Sequence, residues 1–241
     1  MSSFPAADTP VAANTPIRRV MGVSTDDEQT PRTRIVLIRH GESVGNATRT
    51  ISHFRTCAGL SDAGREQCEL LAKRLDRTGE LAGAVLYASH VRRAVQTAEF
   101  VAPVLESEIH IDERFAELDP GENCDGMTYD DLIANHAPDW TLEDPDGVIY
   151  PGGETVAGLH ARVADGLAAL TAAHPGELVV VCTHGGVVDV AMRIGMRVPI
   201  RGWFDLFTLN TSLTEMTDTG RERWRIDRYN DAAHLLDGFW P

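Results

Sequence analysis

Lysine is almost absent. Lys73 stands alone among 22 basic side chains, and these face 36 acidic ones, leaving a net charge of −14 over 241 residues. So negative a chain argues against nucleic acid as a partner, because a phosphate backbone needs a basic face. Long apolar runs are lacking too. None approaches the roughly 18–20 residues of a membrane-spanning helix, so no membrane partner is expected. The opening residues have no basic head followed by an apolar block, so no secretory signal is expected. Cysteine is scarce: four residues, at 57, 68, 124 and 182, none in a C-x-x-C pair. A zinc site or redox dithiol is therefore not expected, and scattered free thiols fit a reducing cytoplasm.

What is present alternates between strand-like and helix-like segments. That pattern predicts an α/β fold, a three-layer α/β/α sandwich with a mostly parallel central sheet. Residues 1–32 are rich in Ser, Thr, Pro, Ala and Asp without apolar periodicity, and are expected to be a disordered extension. Residues 33–241 read as one domain. Strands are expected at Arg34–Arg39, 83–89, 108–111, 178–183, 204–216 and 222–227. Helices are expected near 61–76, 91–101, 129–136, 154–173 and 186–195. In the first, Ser61 supplies a cap and Cys68, Leu71, Ala72 and Leu75 repeat at helical spacing.

Three strand ends share a chemistry. The first ends in Arg39-His40-Gly41, the second in Ser89-His90 followed by Arg92 and Arg93, and the fourth in Thr183-His184-Gly185-Gly186. Ligands bind outside the carboxyl ends of strands in parallel α/β sheets. Two histidines and two or three arginines would converge there, beside helix N-termini that offer N–H donors to an anion. Buried cations at strand ends are costly unless an anion pairs with them, so a phosphoryl group is the expected ligand. The remaining histidines, including His53 and His90, read as structural.

These residues carry a resemblance. "LIRHGESVGN" resembles the signature of the histidine phosphatase superfamily, also called the phosphoglycerate-mutase-like family. Further pieces follow in order: "LSDAGREQ" at 60–67, "RRAVQTAE" at 92–99, "ELDPGE" at 117–122, "PGGET" at 151–155, "VVVCTHGGVV" at 179–188 and "LNTS" at 209–212. The resemblance implies a phosphomonoester hydrolase of phosphoglycerate-mutase-like fold that works through a phosphohistidine intermediate, with no metal or other cofactor. It implies His40 as nucleophile and Glu117 as general acid. Arg39, Arg93, His184, Asn46 and Gly185 would hold phosphoryl oxygens. Arg93, directly before "A-x-Q-T-A", fits the family's arginine better than Arg92. A further arginine usual ten residues beyond the nucleophile meets Thr50 here, and Arg49 or Arg55 is expected to substitute. Lid segments are expected around 44–60 and 119–153.

The family also contains mutases, so phosphoryl transfer of the phosphoglycerate mutase kind stands as the alternative, beside a catalytically weak phosphate-binding module. Two features favour hydrolysis. Only 67 positions separate Glu117 from His184, where mutases carry a longer insertion with basic residues. Between 118 and 183 the chain has twelve acidic residues and one basic residue, Arg162. Such a lid would repel a second phosphate, or its acids would simply cap helices and solvate loops. A small substrate carrying one phosphate on a neutral or cationic body is expected, with a homo-oligomer left open.

Overall fold

The computed structural model of the chain describes residues 32–138, 146–200, 206–221 and 223–236. The expected extension at 1–32 lies, but for its last residue, outside them. Strand β1 (Arg34–Arg39) buries Ile35, Val36, Leu37 and Ile38 completely. Successive strand side chains point to opposite faces. Ile35 and Leu37 therefore enter one core cluster, and Val36 and Ile38 enter the other. An apolar run of this kind fits only a strand covered on both sides.

The other strands are β2 (Val85–Ala88), β3 (Ile109–Ile111), β4 (Leu178–Thr183), β5 (Leu213–Asp218) and β6 (Trp224–Asp231). They form one sheet in the order β3-β2-β4-β1-β5-β6. The pairings among β3, β2, β4 and β1 are parallel, and those from β1 to β5 and from β5 to β6 are antiparallel. The helices are α1 (Val44–Ala47), α2 (Asp62–Thr78), α3 (Arg92–Leu105), α4 (Gly121–Cys124), α5 (Tyr129–His136), α6 (Val156–Ala173) and α7 (Gly185–Met196). Leu71 and Leu75 of α2 and Ala98, Val101 and Leu105 of α3 cover one face. Leu159, Val163, Leu167 and Leu170 of α6 and Val187, Val188 and Ala191 of α7 cover the other. The three-layer sandwich expected from the sequence is thus present.

Several boundaries differ: β2 is shorter than the expected 83–89, and β6 runs on to Asp231 rather than ending near 227. Helix α3 runs on past residue 101 and through Pro103, because Leu105 still reaches the core. The strand expected over 204–216 begins only at Leu213, and 201–205 lie outside the described residues. Ahead of it, Asn210 and Thr211 form a turn whose polar side chains bond backbone: Asn210 Nδ2 donates to the His40 carbonyl (2.8 Å), and Thr211 Oγ1 donates to the Asn210 carbonyl (2.7 Å). Such local bonds compete with a sheet ladder.

Residues 43–60 and the described parts of 119–153 make a roof over the ends of β1 and β4. They are stitched by a Thr50–Thr128 bridge and by reciprocal Ile51–Met127 and Gly126–Ile51 backbone bonds, each 2.8 Å. Ile51, Cys124 and Leu132 give the roof a small core of its own, with Met127, Tyr129 and Tyr150 packed on it. Among the described residues no helix is long and apolar enough to cross a membrane.

Candidate active site

Strands β1 and β4 run side by side in register, Arg39 opposite Thr183. The next residues on each are His40 and His184, so the sheet itself brings the two rings together. Their centroids lie 5.2 Å apart in an edge-on arrangement. Gly41 has to be glycine. A Cβ there would sit 2.5 Å from the Gly64 carbonyl oxygen at the start of α2. Its N–H donates to Thr97 Oγ1 of α3 (3.1 Å), which anchors the turn after the histidine.

His40 is buried. Its Nδ1–H donates to the Gly41 carbonyl (2.7 Å), and its Nε2 accepts the Nε–H of Arg93 (3.0 Å). That pattern defines a neutral ring with its lone pair on Nε2. Burial holds the imidazole well below its ordinary pKa, helped by the guanidinium charges of Arg93 and then Arg39. His184 is completely buried and held below its ordinary value by burial and by Arg93. Its Nε2 meets Ser89 Oγ at 2.9 Å. Its Nδ1 has no hydrogen-bond partner among the described residues, and neither has Arg39 Nε. Arg39 borders a hollow beside His40, and an unpartnered buried donor there suits an anion.

That hollow is a cavity of about 160 Å³. Arg39, His40, Asn46, Arg93, Glu117 and Gly185 all line it, with Ser43, Ser52, Tyr129 and Tyr150. His184 is not among the lining residues; its ring meets that of His40 from behind the wall. Arg93 also donates to the Ser52 carbonyl (2.7 Å) and to Cys57 Sγ (3.6 Å), and Arg39 donates to the Thr208 carbonyl. Asn46 closes a capping box on α1: its Oδ1 accepts the Ser43 N–H at 3.1 Å. The Glu117 carboxylate accepts the N–H of Leu118 (2.9 Å) and that of Gly186 in the first turn of α7 (3.2 Å). Glu117 also borders a larger cleft of about 700 Å³, walled by His53, Phe54, His90, Arg114, Asp119 and Arg162.

The expected arginine substitution does not occur. Arg49 has a left-handed backbone (φ 54°) that turns its side chain outward; it is 70% exposed and lies 3.5 Å from Asp130. Arg55 pairs with Asp119 (3.0 Å) and Asp125 (3.3 Å), and its guanidinium stacks over Phe54. Neither lines the smaller cavity, whose outer wall is made by Tyr129 and Tyr150 instead. Arg92 is exposed, whereas Arg93 is buried. In the sequence, Asn210 has no role beyond its place in "LNTS", and nothing there marks Ser52, Ser89 or the two tyrosines. His53 and His90, which read as structural, in fact wall the larger cleft.

A neutral imidazole with an unprotonated ring nitrogen, beside two guanidinium groups at the carboxyl end of a parallel sheet, fits a phosphoryl-transfer enzyme. The sequence profile of the histidine phosphatase superfamily (branch 1) matches residues 35–232, and the chain belongs to that family. It is 30% identical over 215 residues to phosphoglycerate mutase-like protein 4 of Arabidopsis thaliana, covering 87% of this chain and 90% of that protein. It is 27% identical to the metal-independent phosphoserine phosphatase of the same plant, over 84% of this chain and 83% of the relative. Among solved structures, a mycobacterial glucosyl-3-phosphoglycerate phosphatase superposes with a TM-score of 0.70 at 27% identity, over 82% of this chain and 98% of that one. The family and fold expected from the sequence are borne out, and the two phosphatases among these similar proteins fit phosphomonoester hydrolysis.

Proposed function

We propose that the protein hydrolyses a small phosphomonoester through a phosphohistidine on His40. The observation that carries this is the unprotonated Nε2 of a neutral, buried His40, held by the Arg93 Nε–H beside a cavity walled by Arg39 and Arg93. A phosphoryl group entering the cavity draws the Arg93 Nε–H from His40 Nε2 to a phosphoryl oxygen. Arg39 Nε and His184 Nδ1 take the others, with Gly185 at the N-terminus of α7 and Asn46 alongside. Nε2 then attacks phosphorus, the bond to the leaving oxygen breaks, and Glu117 gives that oxygen its proton. Water attacks the phosphohistidine, Glu117 takes its proton, and phosphate leaves with the ring restored.

The small cavity suits one phosphoryl group, and the larger cleft, which shares Glu117 with it, suits the leaving group's body. Mutase-type transfer would need a basic grip on a second phosphate. Here Arg162 is engaged by Glu154 and backbone carbonyls, and Arg114 by Asp112. Many of the roof's acids are engaged too, as Asp119 and Asp125 are by Arg55, so they cap and pair more than they repel. The substrate fits a monophosphate on a neutral or cationic body, a class that includes phosphoserine, the substrate in the name of one relative above. A cytoplasmic setting belongs to this reading, supported by four free, buried thiols.

The test is a phosphoester panel on purified wild type and His40→Ala. Acid-labile phosphate trapped on wild type, and a loss of at least about a thousandfold in kcat/KM for the variant, are expected. Tight phosphate binding without turnover would make the chain a binding module. Faster transfer between two positions of a phosphoglycerate than hydrolysis would make it a mutase.

A further inference from the structure

The "PGGET" run and Arg162 have no part in the steps above, yet they meet beside the general acid. Arg162 lies in the second turn of α6. Its Nε and Nη2 donate to both oxygens of Glu154, at 2.7 and 2.8 Å. Its remaining donors go to three backbone carbonyls, one in the 3-10 turn Glu113–Phe115 and two in the bend that follows it. Nη1 reaches Arg114 O (2.9 Å) and Ala116 O (2.7 Å), and Nη2 reaches Glu117 O (2.9 Å). Glu154 holds the far side of the same bend. Its own N–H donates to Asp119 O (2.8 Å), and its Oε2 accepts the Asp119 N–H (3.3 Å).

The bend needs this. Residues 116–120 have no helix or strand of their own. Besides the clamp, the Glu117 carbonyl meets only His53 Nε2, at 3.1 Å, among the described contacts. A planar guanidinium is suited to such work, because its donors are fixed in one fork. A general acid displaced by even an ångström loses much of its effect.

We infer that the Arg162–Glu154 pair is the positioning element of the Glu117 general acid, fixing its backbone so that the carboxyl reaches the leaving oxygen. This rests on the proposed role of Glu117, and the test separates the two. The rate of His40 phosphorylation is measured before steady state with p-nitrophenyl phosphate, whose leaving group needs no proton, and with an alkyl phosphate, whose leaving group does. Arg162→Met is expected to slow the alkyl substrate by roughly a hundredfold and the nitrophenyl substrate by less than about threefold, the signature of lost acid catalysis. Glu117→Gln should show the same pattern, and adding Arg162→Met to it should cost nothing further. Glu154→Gln, which keeps the shape, should show the pattern more weakly and serves if Arg162→Met does not fold. Equal slowing of both substrates by the Arg162 and Glu154 variants, with Glu117→Gln still selective, would overturn the clamp alone. A Glu117→Gln variant with no leaving-group dependence would overturn the general-acid assignment, and the clamp with it.

Discussion

At the scale of single residues, three buried histidines tie the fold to pH. Burial holds His40 and His184 well below the ordinary imidazole value, and lowers His234 to about 4, with the Arg74 charge adding to the effect. A histidine with a depressed folded pKa takes up its proton more readily when unfolded. Its contribution to stability is complete above about pH 6.5 and declines as pH falls toward the folded value, by about 1.4 kcal/mol for each pH step over which only the unfolded chain is protonated. Urea unfolding at pH 7.5, 6 and 4.5 should therefore show falling stability. His234→Gln, which retains a partner for Thr211 Oγ1, now 2.9 Å from the imidazole, should flatten the acid side of that curve. An unchanged slope would remove His234 from this account. His40 and His184 are legible in the sequence because each ends an apolar run where a core has no use for it. Arg49 is not, because its direction depends on a single positive φ that no spacing reveals.

At the scale of elements, the active-site turn exists because α2 comes within backbone contact of it. A Cβ on Gly64 would fall 1.9 Å from the Glu42 carbonyl oxygen, and nothing there is the loose end of a side chain. Gly64→Ala should cost about 1–3 kcal/mol, as overpacking does, and lower turnover by shifting the turn that carries His40. Thermal unfolding and kcat measured together check this; a variant with wild-type stability and rate would contradict it. Strands β1 and β4 match the sequence expectation to the residue, since a run such as Val179–Val181 has no other place than a sheet covered on both faces. The turn at Asn210–Thr211 reads as strand in the sequence because its residues suit either, and only the His40 carbonyl waiting across the gap decides. Helix α1 is four residues long, too short to display a period.

At the scale of the whole molecule, the chain's net charge of −14 opposes the approach of an anionic substrate of the proposed kind. Raising ionic strength from 0.01 to 0.15 M shortens the Debye length from about 30 to about 8 Å and should screen this repulsion. The kcat/KM for a purely anionic phosphoester should therefore rise with salt. A substrate that also bears an ammonium group should respond less, and a fall with salt for both would show that the local arginines outweigh the global charge. The roof adds a consequence of a different sort. Its apolar kernel of Ile51, Cys124 and Leu132 is separate from the two clusters that hold the sheet, with Tyr150 packed against both it and one of them. Divergence there need not disturb the strands that seat the imidazoles, so selectivity and chemistry are free to evolve on separate clocks.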